Sequence, residues 1–111
     1  MGRRKVDLGT AKVVRIGGAV GIKLPYRWLT THGLKIGDPV YSVLTVDQEM
    51  RVHLEPVDWA RKAKIRRAAQ RGSVYMTMSA PYVREMGIEA GSRVRLIADV
   101  EHGVLSIWRE A

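Results

Sequence analysis

Val20, Ile22 and Leu24 alternate with Gly21 and Lys23, which predicts a short strand with one buried face. Pro25 ends that run and suits the first turn of a short helix over "PYRWLTTH", with Gly33 as its C-terminal cap. Val40, Ser42, Leu44 and Val46 alternate in a second strand. After the turn "DQE", Met50, Val52 and Leu54 face one way in a third strand, and Arg51, His53 and Glu55 the other. Upstream, "TAKVVRI" (10–16) is β-branched enough to be a strand of its own. Four short strands and one helical turn cannot close a core by themselves.

A second unit of the same kind follows. Displaced by 54 positions, "GLKIGDPVYSVLTVD" (33–47) lies on "GIEAGSRVRLIADVE" (87–101) without a gap. Gly33 meets Gly87, Gly37 meets Gly91, Val40 meets Val94 and Val46 meets Val100; further back, Gly18 meets Gly72 and Val20 meets Val74. The chain therefore divides into a basic N-terminal arm (1–10), a first copy (11–56), a basic linker (57–64) and a diverged second copy (65–110). The joint "VDWARKAKIRRAAQR" (57–71) carries opposing signals. Asp58 is a good helix N-cap and the alanines favour a helix, whereas the repeat register asks for a strand near 65–70. A short helix near 58–63 followed by a strand is the reading adopted.

Composition narrows the chemistry. The 111 residues carry a net charge of +8, so an anionic partner is the first expectation, with nucleic acid ahead of membrane. No apolar run is long enough to span a bilayer and no signal-peptide core follows Met1, so a cytoplasmic protein is expected. The absence of cysteine removes thiol nucleophiles and thiolate metal sites. His32, His53 and His102 have no companion spacing for catalysis or metal binding, so neither an enzyme nor a cofactor is expected. Trp28 and Trp108 are assigned to the core, and Trp59, beside the basic linker, is left open.

With the motifs in place, the chain resembles the AbrB/MazE/SpoVT family of swapped-hairpin DNA-binding domains. The resemblance rests on "KVVRIGGAVGIKLPYRWLTTHGLKIGDPV" followed by a strand, a turn and "MRVHLEP", and it covers the first copy throughout. The second copy keeps "GIEAGSRV" and the last hairpin, but has Ser79-Ala80-Pro81 where the first has Pro25-Tyr26-Arg27. The resemblance implies a mostly β fold: a swapped-hairpin β-barrel built from two pseudo-repeats, each with a short helix, as in tandem members such as the MraZ group.

It further implies that Arg15 and Lys23 contact DNA, with Gly17 and Gly18 letting the loop between them approach phosphates closely. Gly18 and Ala19 replace the family's Asn and Ser, which tilts the expectation toward loose sequence specificity. In the second copy Ser73 restores the serine, while Ala69 and Thr77 fall opposite Arg15 and Lys23, so that copy is expected to contribute less. Arg3, Arg4 and Lys5 in the arm, Lys12, and Arg66, Arg67 and Arg71 in the basic run complete the candidate DNA-binding residues. The expected protein is a transcriptional regulator or nucleoid-associated protein that binds double-stranded DNA and forms a homo-oligomer, a dimer or larger. RNA draws on the same charge. The alternative is an antitoxin with a toxin partner, disfavoured because the chain ends at "SIWREA" without an acidic tail.

Overall fold

A computed structural model describes residues 5–67 and 73–110. Its elements run β1 (Lys5–Lys12), β2 (Val14–Ile16), β3 (Ala19–Lys23), α1 (Tyr26–Thr31), β4 (Pro39–Leu44), β5 (Met50–His53), β6 (Arg61–Arg67), β7 (Val74–Met78), α2 (Ala80–Met86), β8 (Arg93–Asp99) and β9 (Val104–Arg109). The protein is mostly β. Both helices are too short to persist alone and are held by packing: Trp28 and Leu29 of α1 and Met86 of α2 are buried. No helix among the described residues is long and apolar enough to cross a membrane.

One antiparallel sheet has the order β1-β8-β9-β5-β4-β6-β7-β3-β2. Its outermost strands, β1 and β2, are consecutive in the chain and separated only by Val13. The sheet must therefore curl until both of its ends come together in one segment, which makes it barrel-like. β6 also serves two neighbours, since Arg61–Lys64 pair with β4 and Ile65–Arg67 with β7. The concave side holds the core, where Ile22, Val40, Met50, Val52, Met76 and Ile107 are fully buried. Burying such a side chain stabilises by roughly 1.5–3 kcal/mol.

Two backbone arrangements recur. Val13 donates to Ser92 O and accepts from Gly91 N; Ile65 donates to Asp38 O and accepts from Gly37 N. Val13 and Ile65 are both buried. Between β3 and β7, Ile22 lies directly opposite Met76, and Val20 opposite Met78.

Several expectations change. No helix forms at 58–63: Asp58 and Trp59 sit in a turn, and β6 begins at Arg61. Alanine's helix propensity loses there because pairing with β4 and then β7 makes the segment a strand, with Ile65 opposite Met76 in the core and the cations exposed. Lys5, expected in a trailing arm, opens β1 and pairs with Asp99. Val46 is 99 % exposed, because β4 stops at Leu44 and Gln48 N donates to Thr45 O in an earlier turn. Trp108 is only half-buried, since it points to the opposite side of β9 from Ile107, across from Arg95. Trp28 is in the core as expected.

The β1–β8–β9 side is stitched by Arg95, whose guanidinium bonds Asp7 at 2.8 Å and Glu110 at 3.1 Å. A bulge in β1 places Gly9 N 2.8 Å from Asp7 Oδ1. That amide, and beside it Arg95, holds the Asp7 carboxyl below its ordinary value.

Candidate nucleic-acid interface

The β2–β3 hairpin turns through Gly17-Gly18, between the paired Ile16 and Ala19. Gly17 has φ +60 and Gly18 does not have a positive φ, the pattern of a type II′ turn with glycine required at its first central position. Gly18 is exposed, and a Cβ there would touch nothing within 4 Å. Gly21 is the glycine the packing demands. A Cβ on it would overlap the Met76 carbonyl oxygen and come within 2.8 Å of Ile16 Cδ1. Thus β2, β3 and β7 are locked at van der Waals contact, fixing where the hairpin's side chains point.

Directly paired residues share a face of a sheet. Lys23 pairs with Tyr75, and Tyr75 pairs on its other side with Arg66. The result is a row across β3, β7 and β6 with a tyrosine between two exposed cations. Adjacent strands lie about 4.8 Å apart, so the two cationic residues are about 10 Å apart at the backbone. Lys12 and Lys23 both line, with Tyr26 and Tyr75, an open groove of about 390 Å³. Along β6, Arg61, Lys62, Lys64, Arg66 and Arg67 are all exposed. A second groove of about 230 Å³ lies beside them, lined by Arg61, Lys62, Thr77 and Ser79 among others.

Arg15 and Lys23 are not brought onto one face. Arg15 pairs with Val20, which is three residues from Lys23 and so points to the opposite side of the same strand. Arg67 has the matching position on the other hairpin, opposite Val74. Ser73, half-buried, immediately precedes β7. Arg3, Arg4 and Arg71 lie outside the described residues, as does Ala69.

The electrostatic contrast is sharp. Arg51 and Arg95 are bonded to carboxylates, whereas among the described residues Lys12, Arg15, Lys23, Lys64, Arg66 and Arg67 have none within ion-pair distance. The chain has no acidic residue between Asp7 and Asp38, nor between Asp58 and Glu85. Those two windows contain β2, β3 and α1, and β6, β7 and the start of α2. Acids are thus kept off both hairpins, and uncompensated positive potential gathers there. Tyr75 is the residue that sequence reasoning missed; the two acid-free windows are the signal that marks its neighbourhood. No group of three or more His, Asp or Glu among the described residues is placed to hold a metal ion.

No family model, curated protein or solved structure matches this chain.

Proposed function

We propose that the chain binds duplex DNA through the two acid-free hairpins, with Lys23, Tyr75 and Arg66 at the centre of one face, Lys12 and Lys64 beside them, and Arg15 and Arg67 on the other side of the same hairpins. The cross-strand row Lys23–Tyr75–Arg66 carries the reading: two unpaired cations either side of a hydroxyl-bearing ring suit phosphates, which accept bonds from all three residue types. Backbone contact without a built base-reading amide fits a regulator or nucleoid protein of loose specificity. With about six phosphate contacts, affinity for a duplex falls roughly a thousandfold between 50 and 200 mM salt. A titration of labelled duplexes of several sequences across that salt range tests this. A salt-insensitive complex would sink it.

The AbrB-like architecture with two strand-exchanging copies belongs to the same proposal. Ile22 and Met76, paired on β3 and β7, are 54 positions apart, which is what a local two-fold axis between equivalent strands requires. The recurring bonds at Val13 and Ile65 support it as well, but their separation is 52. The copies therefore slip by two residues between β6 and β7: Val13 precedes Val20 by seven, and Ile65 precedes Val74 by nine. Under that register the counterpart of Lys12 is Lys64 and the counterpart of Arg15 is Arg67, not Ala69. The second hairpin thus keeps the cations at the Lys12 and Arg15 positions, whereas the row Lys23–Tyr75–Arg66 has Thr77, Gly21 and Val14 as its counterparts and is offered to DNA once.

A further inference from the structure

Trp59 is 92 % exposed, in a chain whose other described large apolar side chains are mostly covered. It occupies the third position of a turn closed by Ala60 N donating to Val57 O at 3.2 Å, with φ +68. That is the glycine position of a type II turn, and a bulky side chain there strains the backbone. Neither exposure nor strain serves the fold. The turn is nonetheless anchored: Tyr82 Oη donates to Trp59 O at 3.5 Å, and the Arg61 guanidinium stacks 5.8 Å from the Tyr82 ring. A strained position held in place is where a function is to be sought.

After Ala60 begins β6, whose Lys62, Lys64 and Arg66 are exposed on one face over about 13 Å of strand. An exposed indole at the head of a cationic track is the arrangement that binds an unpaired strand, stacking on a base while cations follow the backbone. We infer that Trp59 is a stacking platform for a base of single-stranded nucleic acid, whose phosphates run along β6. The stacked base takes the indole's exposed face, and Lys62 and Lys64, on one face of β6, hold the adjoining phosphates. A duplex cannot offer that base without opening, so the two activities share cations of β6 and differ in their need for Trp59.

The test is direct titration of the full chain with labelled 15-mers of deoxythymidine and of uridine, alongside a duplex, for wild type, Trp59→Ala, Trp59→Phe and Trp59→Gly. Intrinsic fluorescence adds a second readout: Trp28 is buried and Trp108 half-buried, so quenching by added single strands that disappears in Trp59→Ala reports the Trp59 indole. Trp59→Ala is expected to weaken single-strand binding roughly tenfold and duplex binding less than twofold, while Trp59→Phe retains most of the affinity. Trp59→Gly should lose binding as the alanine variant does while melting no lower than wild type, since glycine relieves the left-handed strain. A structural tryptophan would give the opposite melting result. Unchanged single-strand affinity in Trp59→Ala, equal losses on duplex and single strands, or failure of wild type to bind either 15-mer would overturn the inference. So would dissociation of an oligomer by Trp59→Ala at unchanged affinity, which would assign the indole to a second copy of the chain. Loss of duplex binding with single-strand binding intact would reject the duplex proposal alone.

Discussion

Gly21 and Met76 meet backbone to backbone, with no room between them for a methyl group. Gly21→Ala is therefore expected to cost at least about 2 kcal/mol, because overlap with a backbone carbonyl cannot be relieved by a side-chain rotation. Gly18→Ala, three residues away with open space around it, should change stability by no more than about 0.5 kcal/mol. Urea denaturation of the two variants separates them; equal effects would contradict the packing described.

Lys23→Ala and Arg66→Ala each remove one exposed, carboxylate-free cation. Each should lower the slope of log affinity against log salt for duplex DNA by about one and leave the melting temperature in place. A variant that melts early while keeping its salt slope would mark that cation as part of the scaffold.

Arg67→Ala should weaken duplex binding about as much as Arg15→Ala, since both sit opposite the first inward valine of the next strand. Direct sequence alignment sets Arg15 against Ala69 and makes the second hairpin the weaker contact. A much smaller effect of Arg67→Ala would restore that alignment.

His53 gives a pH signature. Burial, and then the neighbouring Arg51, hold its imidazole below the ordinary value of 6.5. As pH falls, the unfolded chain takes up the proton first, so folding stability is complete above about 6.5 and declines toward the lower folded-state value. His53→Gln should flatten the melting temperature between pH 7.5 and 5.5. An unchanged pH profile in that variant would remove His53 as the cause.

Glu49 is buried, and its carboxylate is met by the Arg51 guanidinium at 3.2 Å and the Ser106 hydroxyl at 2.5 Å. Ser106→Ala leaves one side of that carboxylate without its donor and should cost about 1–2 kcal/mol in chemical denaturation. A loss near zero would mean solvent reaches Glu49 instead.

Local pattern went a long way in this chain. The alternation at Val20, Ile22 and Leu24 marked β3, Pro25 and Gly33 bracketed α1, and Met50 and Val52 turned inward as their spacing required. What escaped was decided by partners distant in sequence. The segment from Arg61 carries helix-favouring alanines, and only β4 and β7 alongside make it a strand. Val46 continued an alternating run, yet hydrogen bonds at Thr45 closed the turn before it. The basic cluster was visible as charge, but which cations share a face depends on register. A one-residue difference puts Lys23 beside Tyr75 and Arg15 on the other side of the hairpin.

The seam formed by β1 also sets the order of events in folding. Asp7 and Arg95 are joined across 88 positions of sequence, and β1 pairs with β8 on both sides of its bulge. On a ribosome that first strand emerges long before its neighbour exists, so it must wait, unpaired, until most of the chain has been made. Helix-poor, long-range pairing of this kind folds in milliseconds to seconds rather than microseconds. Closing of the seam is then the late step, and the alternating charges of β1, Lys5, Asp7 and Lys12, keep the waiting strand from pairing with the wrong edge.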